Sequence, residues 1–131
     1  CLKCEGSCYF KDDMSIISKW TNDCQLIIYI TRVKYGCFDI PFKKMLERLV
    51  VNHEPYYTMV DGETCHLGLS QLRKKLLVIG YGQATDAEKK LFKDILDDST
   101  LGFSYSSVDA YFCEEDELDE VLHTFGGVDL G

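Results

Sequence analysis

Cys24–Thr31, which reads CQLIIYIT, is the segment that most constrains how this chain can fold. The run is short, continuous, apolar and rich in β-branched residues, so it predicts a strand buried on both faces, as in a parallel sheet. Leu76–Gly80 (LLVIG) predicts a second buried strand of the same kind. Val108, Ala110 and Phe112 alternate along a third predicted strand.

Helical signals separate these strands. The apolar residues of Met14–Trp20 recur at helical spacing. A second, amphipathic helix is predicted to begin with Asp39 as its cap and Pro41 in its first turn, where the missing N–H costs little. Thr85 and Glu88 have the spacing of a capping box at the start of a third helix.

A hairpin and a last helix complete the predicted order of elements. Pro55–Leu69 contains an Asp-Gly turn between two extended pieces, and Leu118–Phe125 predicts a short helix. The order is helix, strand, helix, hairpin, strand, helix, strand, helix. Strands separated by helices predict βαβ units with right-handed crossovers, hence an α/β fold with a parallel sheet. Without a repeat or a linker, residues 1–131 are predicted to form a single domain.

Size, charge and cysteine content narrow the class of protein. The chain has 131 residues, enough for one hydrophobic core, and no apolar run long enough to span a bilayer. Its net charge of −8 disfavours binding to nucleic acid, because phosphates would be repelled. Seven cysteines, an odd number in a chain that can build a core, favour a reducing, cytoplasmic compartment over a disulfide framework.

Three parallel strands make a thin sheet. Cys24–Thr31 has the composition of a central strand, so a neighbour is expected beside it. That neighbour could belong to an upstream part of the same gene product or to another subunit. An unusual edge arrangement is the third alternative.

Five segments, taken in order, resemble one protein family. They are CYFKDDM (Cys8–Met14), IIYITRVKYG (Ile27–Gly36), PFKKMLERL (Pro41–Leu49), DGETCH (Asp61–His66) and KKLLVIGYG (Lys74–Gly82). The set resembles the NAD(P)H-dependent FMN reductase and iron–sulfur flavoprotein branch of the flavodoxin-like proteins. The resemblance implies a doubly wound flavodoxin-like sheet with FMN at the carboxyl ends of its strands. In the family, the first two strands and the phosphate-binding loop would lie upstream of Cys1, so the flavodoxin-like domain is expected to be incomplete at its N-terminus.

The resemblance also implies which residues face the flavin. Arg32, Lys34 and Cys37 replace a proline, an aromatic residue and a serine of the family pattern, so a strand-to-helix loop without a ligand stays an alternative for the first of two segments. A tight turn is the alternative for the second. The implied cofactor-binding residues are Thr31, Arg32, Val33, Lys34, Tyr35, Gly36 and Cys37 in the first segment, and Gly80, Tyr81 and Gly82 in the second.

Cys1, Cys4 and Cys8 form a C-x2-C-x3-C motif that suggests a metal site. Iron–sulfur clusters and structural zinc usually take four ligands, and three are present here. The resemblance implies that an upstream cysteine would complete the set. Free thiols on a loop are the alternative reading, and the one we favour.

Two other groups of polar residues predict no site. The three histidines are dispersed, without metal-ligand spacing or a neighbouring nucleophile. The acidic run Glu114–Glu120 reads as the solvated start of the last helix, where negative charge suits the helix dipole.

The function implied by the resemblance is FMN-dependent electron transfer. A nicotinamide cofactor, NADH or NADPH, would reduce FMN, and the flavin would pass its electrons to a small acceptor. The alternative is a non-catalytic flavodoxin-like remnant or assembly subunit that binds no flavin. A homodimer or higher oligomer is expected in either case, with no nucleic-acid or membrane partner.

Overall fold

A computed structural model of the protein describes residues 10–60, 62–70, 72–103 and 105–126. Short 3-10 turns cover Leu49–Asn52 and Glu115–Glu117. The helices are α1 (Met14–Asp23), α2 (Ile40–Arg48), α3 (Asp86–Phe103) and α4 (Leu118–Gly126). The strands are β1 (Leu26–Lys34), β2 (Cys37–Phe38), β3 (His53–Val60), β4 (Glu63–Gly68), β5 (Lys74–Tyr81) and β6 (Tyr105–Cys113).

The fold is mixed α/β. β1, β5 and β6 form a parallel sheet in that spatial order, and β2 adds two antiparallel residues to the outer edge of β1. β3 and β4 pair separately as an antiparallel hairpin. The predicted order of elements is confirmed, with β2 as an additional strand. No helix within the described ranges is both long and apolar enough to cross a membrane.

Local sequence signals start the helices as predicted. The Asp39 carboxylate accepts a hydrogen bond from the Phe42 N–H at 3.0 Å, and a proline lies in the first turn of α2. Thr85 and Glu88 exchange reciprocal hydrogen bonds at the start of α3, from Thr85 N to Glu88 Oε2 and from Glu88 N to Thr85 Oγ1. Both pairings satisfy backbone donors that have no partner inside the helix.

The core lies on the face of the sheet that carries α2 and α3. Phe92 of α3 is fully buried there, and its ring meets that of Phe38 edge to face at 4.8 Å between centroids. Tyr29 of β1 packs against Phe42 of α2 in the same way. The members of this buried cluster are Ile27, Tyr29, Val33, Leu76, Val78, Phe92 and Leu96.

The prediction that β1 is buried on both faces is wrong. Its residues alternate, and Ile28 and Ile30 are each 41% exposed. Ile79 of β5 pairs with Ile30 and is fully buried. On the second face, Tyr111 of β6 contacts Phe125 of α4. Among the described residues, cover of this second face therefore stops short of β1.

The prediction of a loop from Arg32 to Cys37 is also wrong. β1 continues through Lys34, turns at Tyr35 and Gly36, and returns as β2. Both turn residues have positive φ, at 53° and 69°. This is the backbone demanded by a two-residue hairpin whose twist matches that of the strands.

α1 is attached to the rest of the molecule through a buried asparagine. Asn52 Oδ1 accepts from the Ser18 hydroxyl and from Asn22 Nδ2, and Asn52 Nδ2 donates to the Ser18 carbonyl. Ser18 and Asn52 are both buried. The exposed face of α1 carries Ile16 and Trp20, so its apolar residues do not all face the core.

Candidate functional site

A cleft of about 640 Å³ opens at the carboxyl ends of the three parallel strands. This edge is where ligands usually bind in open α/β sheets, because the loops that follow the strands meet there. β1, the segment after β5 and the segment after β6 each contribute residues. The lining consists of Arg32, Val33, Lys34, Gly82, Gln83, Glu114, Glu115 and Asp116.

Arg32 occupies the centre of the site's electrostatics. Its guanidinium forms an ion pair with the Glu115 carboxylate. The same group lies 5.5 Å from the centre of the Tyr81 ring, within the range of a cation–π contact. Contacts from the ends of β5 and β6 thus fix a cation that β1 supplies.

Gly82 shapes the second wall through its backbone. Its φ of +96° favours glycine, and its N–H donates to the Cys113 carbonyl at 3.1 Å. That hydrogen bond ties the segment after β5 to the end of β6. It therefore holds the cleft's two flanking strand ends together.

The third wall is acidic. Glu114 begins a capping box in which its N–H donates to Glu117 Oε2 at 3.0 Å, so the turn after β6 is held in place. Glu115 and Asp116 follow in the first turn. Burial, with the nearby Glu117 and Glu114 carboxylates, raises the pKa of the Cys113 thiol. Cys113 is thus a protonated packing residue and not a nucleophile at neutral pH.

The structure brings together four of the ten residues implied to contact a flavin. Arg32, Val33, Lys34 and Gly82 line the cleft, and Tyr81 lies beside Arg32. The two segments selected from the sequence therefore meet at one site.

The other five residues lie elsewhere. Thr31 is buried, and its Oγ1 donates to the Arg32 carbonyl at 3.2 Å. Tyr35 is 89% exposed in the hairpin turn, and Cys37 pairs with Lys34 in β2. The remaining two, Gly36 and Gly80, pack against Leu91 and against Val33 and Phe112, respectively.

Sequence reasoning missed the acidic wall and Gln83. Glu114, Glu115 and Asp116 read as a solvated helix start because their charge alone carries no position. The signal that could have found them is their place directly after the third parallel strand, whose carboxyl end shares an edge with the other two.

The candidate metal ligands Cys1, Cys4 and Cys8 lie outside the described residues. Within the part of the chain that the structure describes, no group of three or more histidine, cysteine or acidic side chains could hold a metal ion. Cys24, Cys37, Cys65 and Cys113 are free thiols.

The lining has a definite chemical preference. Two cations stand on one side and three carboxylates on the other, so the cleft suits a ligand with a neutral, polar body. A phosphate would meet the carboxylates at short range, and Arg32 is already neutralised by Glu115. No protein family matches the sequence, and no significant match exists among curated proteins or solved structures.

Proposed function

We propose that this chain is a flavodoxin-like, FMN-dependent NAD(P)H oxidoreductase whose flavin ring binds in the cleft at the carboxyl ends of β1, β5 and β6. The observation that carries the proposal is that both segments resembling the family's flavin-facing loops contribute to this one cleft. Arg32 and Lys34 come from the first segment and Gly82 from the second.

The sheet supports the flavodoxin-like assignment. In the order 2-1-3-4-5 of that fold, the last three strands lie side by side in chain order. β1, β5 and β6 have this arrangement, with helices on both faces of the sheet.

The residues of the cleft fit the isoalloxazine ring of FMN. Arg32 and Lys34 offer donors to its carbonyl edge, and the backbone at Gly82 leaves one wall without a side chain. Bound FMN would supply hydride acceptance from a nicotinamide cofactor and electron transfer to a small acceptor. The protein's part is to position the ring and to set the charge around it.

The same residues do not fit the phosphate of FMN. Glu114, Glu115 and Asp116 would repel it, and the described lining holds no helix N-terminus free of acidic side chains to receive it. Affinity in this cleft must therefore come from the ring.

One set of observations favours the second candidate, an assembly subunit that binds no flavin. The Tyr35–Gly36 turn is a closed hairpin packed on α3, which removes its backbone from the cleft. Arg32 is already paired with Glu115. In this alternative the cleft's ion pair stabilises the strand ends and nothing more.

Fluorescence titration with FMN and with riboflavin separates the two candidates. The oxidoreductase proposal predicts saturable quenching by both compounds, with dissociation constants within about threefold, because the phosphate adds little here. It also predicts flavin-dependent oxidation of NADH or NADPH. Absence of saturable quenching by either compound would exclude the oxidoreductase for this chain and leave the assembly subunit.

A further inference from the structure

The outer edge of β1 is open over five residues. β2 covers this edge only at Val33 and Lys34, and the Asp39 N–H approaches Thr31 Oγ1 at 3.5 Å just beyond. From Leu26 to Ile30, no strand among the described residues pairs with β1 on the side away from β5.

The backbone groups at this edge can be assigned. The Gln25 carbonyl accepts from the Lys75 N–H, so odd-numbered residues of β1 direct their polar backbone groups toward β5. The Lys34–Cys37 pair closes the two-residue hairpin on the other side, which places even-numbered residues on the outer edge. Leu26, Ile28 and Ile30 therefore present their N–H and C=O groups outward.

The same residues present an apolar surface. Ile28 and Ile30 are partly exposed on the sheet face that α2 and α3 do not cover. Leu26–Ile30 contains no proline and no charge, the devices that natural edge strands use to avoid pairing. An edge with this composition is a template for another strand.

We propose that this edge pairs with the same edge of a second copy of the chain, antiparallel and centred on Ile28. Two-fold symmetry makes each copy use the same surface, so the centre of a five-residue open stretch falls at its third residue. Ile28 then faces Ile28 of the second copy, and Leu26 faces Ile30. Each hydrogen-bonded pair uses the outward backbone groups assigned above.

Pairings centred elsewhere fit less well. A shift of the axis to Tyr29 sets Leu26 opposite Arg32 and drives the second copy into Asp39, which lies beside Thr31. An axis between residues would place opposing side chains on different faces. The pairing centred on Ile28 joins six aliphatic side chains on one face and the two three-stranded parallel sheets into one.

This interface does not depend on flavin binding. Each copy carries a net charge of −8, so the two repel one another at low ionic strength. The dimer should therefore strengthen as salt is added, as expected for an interface of apolar and backbone contacts between like-charged partners.

Light scattering of the full chain tests the surface. The wild-type protein is expected to be dimeric at micromolar concentration, and Ile28→Lys is expected to raise the dissociation constant at least tenfold, because it places two ammonium groups face to face. Ile16→Lys is the matched control, since Ile16 is similarly exposed on α1 and is expected to leave the dimer intact. A monomeric wild type, or an Ile28→Lys dimer as stable as the control's, would overturn the proposal.

Cross-linking tests the register and does not depend on how Ile28→Lys folds. Under mild oxidation, Ile28→Cys should form a symmetric disulfide between copies, because hydrogen-bonded pairs lie within disulfide range. Ile30→Cys, equally exposed, should form none alone but should link to Leu26→Cys in the double variant. Peptide mapping by mass spectrometry separates these links from those of native cysteines. A link from Ile30→Cys alone, with none from Ile28→Cys, would refute the axis at Ile28.

Discussion

A Cβ atom at Gly36 would lie 2.7 Å from Leu91 Cδ2, so the hairpin turn after β1 is seated directly on α3. Gly36 also has a φ of +69°. The Gly36→Ala substitution should therefore combine backbone strain with a steric clash. Gly62→Ala shares the positive φ but has open space around its Cβ position.

Gly36→Ala is expected to lower the free energy of unfolding by about 1–3 kcal/mol more than Gly62→Ala, since only the first adds overpacking to strain. Urea denaturation of the two variants measures the difference. Addition of Leu91→Ala should recover part of the loss at Gly36 and none at Gly62. Equal losses in the two single variants would show that α3 yields to the added methyl group.

Asn52 is predicted to be the polar residue on which attachment of α1 depends. Asn52→Ala removes partners from the Ser18 hydroxyl and carbonyl, both within a buried residue. The expected loss in unfolding free energy is about 2–3 kcal/mol, mostly from the groups left without partners. Asn22→Ala, which removes one hydrogen bond to the same oxygen, should cost about 1 kcal/mol or less. Urea denaturation compares the two, and similar losses would contradict the central role of Asn52.

Two buried tyrosines should make the protein sensitive to alkali. The Tyr105 hydroxyl donates to that of Tyr29, and burial is the main cause that raises the pKa of both above the ordinary value of 10.0. The unfolded chain loses these protons near pH 10 while the folded chain keeps them. The stability from this pair is therefore full below pH 10 and is lost as the pH rises above it.

The measurement is the free energy of unfolding in urea at neutral pH and above pH 10. Each of the two tyrosines should steepen the alkaline decline by up to about 1.4 kcal/mol per pH unit. Tyr105→Phe is the control, because it removes one of the two ionisations and should make the decline shallower. An unchanged slope in Tyr105→Phe would show that Tyr105 already ionises in the folded protein.

Release of Arg32 from Glu115 should improve flavin binding. An exposed ion pair of this kind contributes up to about 1 kcal/mol, so Glu115→Gln is expected to tighten binding of FMN by up to about fivefold. Arg32→Gln should weaken it. Asp94→Asn removes the same charge from an exposed ion pair with Lys90 on α3, outside the cleft lining, and should leave the affinity unchanged. Identical shifts in Glu115→Gln and Asp94→Asn would reduce the effect to net charge.

Sequence alone predicted those features that depend on neighbours along the chain. The Asp39 cap and the Thr85–Glu88 capping box need only a few adjacent residues, and the apolar runs of β1 and β5 identify themselves. Exposure of Ile28 and Ile30 could not be predicted, because it depends on which helices cover which face.

The candidate site shows the same division. Its position at the strand ends follows from the parallel sheet, and Arg32 and Gly82 were among the residues selected. The turn at Tyr35 and Gly36 was missed, since Tyr-Gly lacks the usual asparagine or aspartate of such turns. Glu115 was missed because its partner Arg32 is distant in sequence and only the tertiary fold unites them.

The parallel pairing of β1 with β5 has a kinetic consequence. Ile28 pairs with Leu77, and α2 and the β3–β4 hairpin lie between them in the chain. This closure must precede the cooperative gains of the sheet, so its entropy enters the barrier and slows folding relative to helical bundles. During synthesis, β1 must wait without its parallel neighbour until the ribosome has released β5. The chain's exposure to aggregation is thus greatest in that interval.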